Sequence, residues 1–334
     1  MSSESVVIAE VWRGPVLESV HRGTIVVCRP DGEVVAAWGN PDRVILPRSS
    51  CKMMQALPLV ESGVAHRLGL SDRHLALACA SHQGAEIHTS LARTWLSDIG
   101  LSETDLRCGS QIPDDGEARH SLRGANQMPD QTHNNCSGKH CGFLTRAQSL
   151  GAGPEYIDPD HPVQTEIRQV LSELADEELS DYAIDGCSAP NFSMSVKAFA
   201  TSLARFACPA DVVSPVRAKA VVRLREAMAA HPLLVAGTGR ACTRLIQSVA
   251  GSAVVKTGAE GVFAGILPEQ GLGIAIKCDD GSRRGSEAAI AGLLARFGAL
   301  TRDDPVFKAL ADTTLLNRRN VPHGHLRVAA DLLA

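Results

Sequence analysis

The chain has 334 residues, a formal net charge of −4, 44% hydrophobic residues and 21% charged residues, and this balance is typical of a globular protein. The net charge and the lack of a basic run argue against a nucleic-acid surface. No apolar stretch approaches the roughly 20 residues that cross a membrane, so neither a nucleic acid nor a membrane is expected as a partner.

Strands are predicted at both ends of the chain. Residues 24–28 and 33–38 flank a Pro-Asp-Gly turn, which predicts a hairpin. Residues 253–256, 261–267 and 271–277 alternate with short glycine-bearing turns, which favour antiparallel neighbours. We therefore expect one antiparallel sheet built from about 1–45 and 250–334.

The middle of the chain, about 49–245, is predicted to be mostly helical and inserted between the two groups of strands. Helical patterns cover residues 51–61, 72–80, 86–96, 162–175, 193–206 and 214–229, and a further one covers 285–297. Residues 111–133 are too polar for a core element and are predicted to form a long surface or active-site loop. The expected fold class is α/β of the α+β type, in a single domain spanning 1–334.

Two short motifs indicate serine chemistry. Ser49 and Lys52 form a Ser-x-x-Lys, and Lys256 begins a Lys-Thr-Gly in a predicted strand, in a chain with few lysines. Both are marks of active-site serine acyl-transfer enzymes. Residues three apart share a helix face, so a neutral Lys52 could take the proton of Ser49, with Lys256 as a second cation. The alternative is a helix N-cap serine beside a surface lysine.

Ser81 follows the predicted helix 72–80 and could face the nucleophile and relay protons. His82 is a rival base. The alternative for this segment is a helix C-terminal cap followed by a polar loop.

The densest cluster of thiols and polar residues covers 133–141, and a second cysteine-bearing turn covers 185–191. Cys136, Cys187 and a histidine could hold Zn²⁺. Lys139 could ligate only as the neutral amine. Two buried structural cysteines are the alternative, and a thiol nucleophile at Cys136 near His140 is another.

These segments together resemble the asparaginase II family, typified by a rhizobial inducible, thermolabile L-asparaginase. The resemblance is carried by residues 47–52, 79–82, 133–140, 185–190 and 237–240. It implies a β-lactamase/glutaminase-like fold and a homodimer. It also implies the serine–lysine pairs Ser49 with Lys52 and Ser81 with Lys256. Finally, it implies a zinc ion held by Cys136, Lys139 and Cys187.

The expected activity is hydrolysis of L-asparagine to L-aspartate and ammonia through an acyl-enzyme. Arg48 is the candidate for binding the substrate carboxylate, and Asp185 for binding its ammonium group or orienting a zinc ligand. A penicillin-recognising enzyme or another serine amidase or esterase is the alternative, and a zinc or thiol sensor without enzymatic activity is a third. The N-terminus has no basic region typical of a secretory signal, so a cytoplasmic location is expected. Cys141 and Cys242 have no predicted role.

Overall fold

The structure is a computed structural model that describes residues 5–210 and 212–334. Its strands are β1 (Val6–Arg13), β2 (Val16–Cys28), β3 (Val34–Trp38), β4 (Val44–Ile45), β5 (Tyr182–Ile184), β6 (Pro190–Phe192), β7 (Met194–Ser195), β8 (Val254–Thr257), β9 (Val262–Leu267), β10 (Leu272–Cys278), β11 (Asp312–Leu316) and β12 (Pro322–Val328).

Its helices are α1 (Lys52–Gln55), α2 (Leu57–Glu61), α3 (Val64–Arg67), α4 (Asp72–Ala78), α5 (Glu86–Asp98), α6 (Gly116–Gly124), α7 (Ser137–Ser149), α8 (Pro162–Ala175), α9 (Val196–Ala207), α10 (Pro215–Ala230), α11 (Pro232–Ala236), α12 (Ala241–Val249), α13 (Arg283–Arg296) and α14 (Pro305–Ala311). Short 3₁₀ helices cover Arg48–Cys51, Glu103–Asp105, Gln131–His133 and Ala330–Leu332.

The chain divides into two compact units. The first unit comprises Met1–Ser50, Met194–Val212 and Arg244–Ala334, and the second comprises Cys51–Ser193 and Val213–Thr243.

The first unit is built on an eight-stranded antiparallel sheet in the order β11-β12-β1-β2-β10-β9-β8, with β3 paired to β2. Every residue of β9 is buried, which is the pattern of a strand covered on both faces. Helix α9 packs on β10 and β2, and α13 packs on β1, β9 and β10. Two glycines allow these close approaches, because a side chain at Gly273 would overlap the backbone of α9 and one at Gly265 would press on Ile290 of α13.

The second unit is helical. Helix α4 packs against α7, α10 and α11, and α7 also contacts α5 and α8. The indole N–H of buried Trp95 in α5 donates to Thr145 Oγ1 of α7 at 3.1 Å, which satisfies its one polar atom inside the core. A two-stranded hairpin, β5–β6, carries the turn that contains Cys187.

The fold class predicted from the sequence is confirmed: the chain is mixed α/β, with an antiparallel sheet drawn from both termini and helices around it. One local prediction needs correction. Residues 111–133 hold α6, which is capped by Asp115 accepting from the Ala118 N–H at 2.8 Å. None of the residues of α6 is buried, so no apolar periodicity marked the helix. Within the described residues, no helix is long and apolar enough to cross a membrane.

Candidate active site

The predicted nucleophile lies in a tight turn of the first unit. Ser49 sits in the 3₁₀ helix Arg48–Cys51 that follows β4 and is half-buried. Arg48 has a φ of +52°, in the left-handed region that side chains other than glycine seldom adopt. The neighbouring Ser50 is buried, and its hydroxyl donates to the Pro47 carbonyl at 2.5 Å. Strained backbone of this kind is concentrated at functional sites, because the fold must hold it in place.

The Lys-Thr-Gly motif packs directly on that turn. A side chain at Gly258 would meet the Pro47 carbonyl at 2.9 Å and the Ser50 backbone nitrogen at 3.3 Å. Glycine is therefore required for the close approach of the two segments. Lys256 is fully buried, and its Nζ donates to the Thr257 carbonyl at 2.8 Å. Lys256 lies in β8, two residues before Gly258.

In the second unit, Lys52 contacts Ser81. The Lys52 side chain is 1% exposed, and its Nζ lies 2.5 Å from the Ala80 carbonyl, 3.1 Å from Ser81 Oγ and 3.4 Å from the Asn135 carbonyl. The two carbonyls can only accept, so they take two N–H groups. Of the three hydrogen-bonding directions of the Lys52 nitrogen, the one that remains faces the Ser81 hydroxyl. A neutral Lys52 would direct its lone pair there and accept the hydroxyl proton.

The segment around Ser81 is fixed by close packing of α4 on α7. A side chain at Gly138, in the first turn of α7, would fall 2.2 Å from the Leu77 carbonyl at the end of α4. The Ser81 N–H donates to the Val235 carbonyl at 2.9 Å. The His82 N–H donates to the Asn135 carbonyl at 3.3 Å. These bonds hold two motifs that are distant in sequence against each other.

The structure gives His82 a structural role rather than that of a base. Its Nδ1 accepts from the Gly84 N–H at 3.1 Å, which leaves the proton on Nε2. That proton is donated to Ser137 Oγ at 2.9 Å, and Ser137 donates onward to the Thr132 carbonyl at 3.0 Å. Burial lowers the pKa of His82 well below its usual range, and His88 and Lys52 add to this effect. The imidazole is therefore neutral, with both nitrogens engaged.

The three predicted metal ligands lie together in the second unit. Lys139 Nζ is 3.1 Å from Cys187 Sγ, and the two side chains are 4% and 3% exposed. A hydrogen bond from Cys136 holds the pKa of Cys187 well below its usual range, against the effect of burial and with help from the Lys139 charge. The same bond and burial raise the pKa of Cys136 to about 12. The two sulfurs therefore share one proton, and the Lys139 charge favours the negative charge left on the pair.

The protonation of this cluster fits a metal ion. Burial alone would lower the pKa of Lys139, but the charges of Cys187 and Cys136 raise it above its usual range. Two exchangeable protons, one shared by the Cys136 and Cys187 sulfurs and one on Lys139, lie among three buried donor atoms. A divalent ion bound by two thiolates and an amine would replace those protons, so the donor set suits Zn²⁺. His140, which follows Lys139 in the chain, bonds Tyr156 Oη through its Nδ1 at 2.9 Å.

Asp185 lies in the turn that carries Cys187. The Asp185 carboxylate accepts from the Gly186 N–H at 2.7 Å, and the Ser188 N–H donates to the Asp185 carbonyl at 2.8 Å. Ser188 has a φ of +68°, which also lies in the left-handed region. The Asp185 charge raises the pKa of Lys139 and opposes the lowering at Cys187. This electrostatic coupling links Asp185 to the thiol–amine cluster.

Asn135 is a site residue that the sequence reasoning did not single out. Its carbonyl accepts from Lys52, and its side-chain Oδ1 lies 2.9 Å from Cys136 Sγ. It therefore joins the lysine–serine pair to the thiol cluster. Its position inside the segment 133–141 was the available signal, but its contact with Lys52 joins residues 83 positions apart in the chain.

Comparison with known families identifies the family of this chain. The profile of the family described as L-asparaginase II matches residues 9–328. The chain belongs to the L-asparaginase II family. Membership supports a hydrolase that acts on amides. A comparison with curated proteins gave no match.

Solved structures related to this L-asparaginase II family member are distant in sequence. A structure of Mglu in its glutamate form is 18% identical, with a TM-score of 0.51. The match covers 85% of this chain and 62% of the Mglu chain. At that identity the likeness shows the fold alone, and this chain spans less than two thirds of the Mglu structure. A putative β-lactamase from Bacteroides dorei is 11% identical over 77% of this chain and 85% of its own, with a TM-score of 0.40. A β-lactamase from Mycobacterium bovis is 14% identical over 82% and 94%, with a TM-score of 0.41.

Proposed function

We propose that the protein is an L-asparagine amidohydrolase that forms an acyl-enzyme on Ser49 and releases ammonia and L-aspartate. The observation that carries the proposal is the family match over residues 9–328. The buried Lys52 amine beside Ser81, at 3.1 Å, supports a serine–lysine mechanism because it places a base and a hydroxyl in contact.

The reaction starts with attack of Ser49 Oγ on the side-chain amide carbon. The serine proton passes to neutral Lys52, which lies one helical turn away in the chain, and Ser81 exchanges a proton with the same amine. The tetrahedral oxyanion needs backbone N–H donors. Protonation of the amide nitrogen through Ser81, with Lys256 as its expected partner, lets ammonia leave. Water then attacks the ester carbon and regenerates Ser49.

Substrate recognition is assigned to two charged residues. Arg48 carries a planar guanidinium that matches the substrate α-carboxylate in a bidentate geometry. Its strained backbone lies next to Ser49, which favours a fixed position relative to the nucleophile. Asp185 is the counter-charge for the α-ammonium group or orients a ligand of the metal.

Zinc is proposed as a resident ion held by Cys136, Lys139 and Cys187. Two thiolates largely neutralise the ion, so its contribution is positioning of the second unit's side chains rather than activation of water. These thiols must stay reduced to ligate, which fits a cytoplasmic enzyme. A homodimer is the expected assembly, and light scattering of the purified protein measures it.

A second candidate substrate is L-glutamine. The Mglu structure is described in a glutamate form, and glutamate is what an amidohydrolase would make from glutamine. One extra methylene separates the two amides, and a pocket discriminates such a difference by about 1–3 kcal/mol.

The test is ammonia release from L-asparagine and from L-glutamine, each with and without a chelator, and nitrocefin turnover in parallel. Asparagine should give the larger kcat/KM, and nitrocefin should give none. Preference for glutamine would make the protein a glutaminase. Rapid nitrocefin turnover without ammonia release would instead place it among the penicillin-recognising enzymes.

A further inference from the structure

A second cluster of metal-binding side chains lies in the first unit, apart from the residues of the proposed zinc site. His21 of β2, Cys278 at the end of β10 and Asp280 in the following turn place three ligand atoms within 4.8 Å of one another. His21 Nδ1 is 2.7 Å from Asp280 Oδ2, and Cys278 Sγ is 2.9 Å from Asp280 Oδ1. From this geometry we propose that His21, Cys278 and Asp280 form a second site for a divalent metal ion such as Zn²⁺.

The sheet and helix α13 build this arrangement from three separate elements. Cys278 pairs with Gly23 of β2, two residues beyond His21. Helix α13 closes over the pair at Gly285, where a side chain would meet the His21 ring at 2.8 Å and Cys278 Sγ at 3.0 Å. His21 and Cys278 are buried, while the Asp280 side chain is 49% exposed. The cluster is thus held from within the fold and opens to solvent on one side, which provides an entry path.

The spacing of the donor atoms suits coordination after a small expansion. Zinc bonds of about 2.0–2.3 Å to nitrogen, oxygen and sulfur set neighbouring ligand atoms roughly 3.3–3.6 Å apart in a tetrahedron. In the structure the His21–Asp280 and Cys278–Asp280 pairs lie at 2.7 and 2.9 Å because each shares a proton. Three protein ligands leave a fourth position for water. A set with one thiolate, one imidazole and one carboxylate favours Zn²⁺ or Co²⁺ over Mg²⁺ or Ca²⁺.

The protons balance in a single exchange. Arg284 Nε donates to His21 Nε2 at 2.8 Å, so the imidazole proton is on Nδ1 and faces Asp280. On binding, the metal takes Nδ1, the imidazole proton moves to Nε2, and the Cys278 thiol releases its proton to solvent. The exposed Arg284 must then turn away, because its N–H can no longer donate to Nε2. One proton is released for each ion bound.

Several charged side chains near the cluster affect its affinity for a metal ion. Arg284 is the cation in direct contact with a ligand. Arg43 pairs with the adjacent Asp279, and Lys277 donates to the Glu260 carbonyl. Arg284 therefore competes with the ion, and its removal should strengthen binding several-fold.

The experiment is a Co²⁺ titration of the full chain in the Cys136→Ser/Cys187→Ser background, which lacks the thiolates of the proposed zinc site. We expect one equivalent of Co²⁺, a thiolate-to-cobalt absorption band and release of one proton per ion. Adding Cys278→Ser or His21→Gln should weaken Co²⁺ binding by more than about 100-fold. That loss exceeds the usual effect of replacing a residue that only hydrogen-bonds to a metal ligand. Arg284→Ala should tighten it, and Cys28→Ser, on the same strand as His21, should change nothing.

Two outcomes would overturn the proposal: a thiolate band that survives Cys278→Ser, or no uptake of Co²⁺ by a folded background variant. If the background does not fold, the same comparison is made in the wild-type chain. There Cys278→Ser must lower the bound metal by one equivalent, and an unchanged count rejects the site. These readouts do not depend on amidase activity, so they stand apart from the proposed function.

Discussion

Lys52 Nζ lies 3.1 Å from Ser81 Oγ, in a site where two backbone carbonyls occupy the other directions of the amine. In the proposed mechanism this lysine serves two serines. Ser49 precedes it by three residues in the chain, and Ser81 contacts it across the second unit. The carbonyls of Ala80 and Asn135 fix the position of the amine, and its remaining direction faces Ser81.

The first prediction concerns this pair. Lys52→Met and Ser81→Ala should each lower kcat/KM for L-asparagine by about 10²–10⁴-fold, the usual range for loss of a general base or acid. The double variant should be little worse than the poorer single variant, because groups that act as a unit are not additive. A four-member cycle of kcat/KM values measures this coupling. Additive losses would mean that the two side chains act in separate steps.

The nucleophile is tested by Ser49→Ala, with Ser50→Ala as a matched control one residue away. Ser49→Ala should lose several orders of magnitude in kcat while the fold persists. Ser50→Ala removes a buried hydrogen bond to Pro47 and should cost about 0.5–1.5 kcal/mol of unfolding free energy, because the Ser50 N–H still donates to the same carbonyl, with kcat within tenfold. Mass spectrometry of quenched reactions should find the acyl group on Ser49. Near-normal turnover in Ser49→Ala would move the nucleophile to another side chain.

Gly258 couples the Lys-Thr-Gly motif to the serine turn. Gly258→Ala would bring a methyl group to 2.9 Å from the Pro47 carbonyl. Overpacking of this kind costs roughly 1–3 kcal/mol, and the displaced turn should lower kcat more than tenfold. Gly124→Ala is the control, because a side chain there meets nothing within 4 Å. Urea unfolding and steady-state kinetics on both variants separate stability from activity, and an unchanged kcat in Gly258→Ala would show that the turn tolerates the shift.

The fold class and the local motifs could be predicted from the sequence, because strands, short turns and Ser-x-x-Lys or Lys-Thr-Gly spacings are local signals. Helix α7 could not be predicted from it. Nearly all of α7 is buried, with only Arg146, Gln148 and Ser149 outside the buried set, so no polar face alternates with an apolar one. The contact of Lys52 with Ser81 could not be predicted from the sequence either, since it depends on how α4 packs against Gly138 of α7. The sequence pairs Ser81 with Lys256 only through family resemblance, and that pairing stays a prediction.

Metal content provides the next prediction. Cys136→Ala or Cys187→Ala should each lower bound zinc by one equivalent, because each removes a sulfur ligand from the proposed site. Cys141→Ser, in the same helix as Lys139, should leave zinc unchanged, since its thiol contacts the Ala92 carbonyl instead. We expect a higher KM and a partly retained kcat in the two ligand variants. Total loss of kcat at unchanged KM would contradict a positioning role, and undiminished zinc would assign the ion to other residues.

The last prediction concerns pH and two buried histidines. Burial lowers the pKa of His82 and of His140 well below 6.5, so both stay neutral in the folded protein while the unfolded chain binds protons. The contribution of these two histidines to the free energy of unfolding is therefore fully present above about pH 6.5. It is lost as pH falls below that value, by up to about 1.4 kcal/mol per pH unit for each histidine. Urea unfolding between pH 7.5 and 5.5 measures this slope. His82→Gln should reduce it by one histidine's share, whereas His120→Gln, at an exposed position, should not. An equal slope in wild type and His82→Gln would mean that His82 is protonated in the fold, which its bonds to Gly84 and Ser137 oppose.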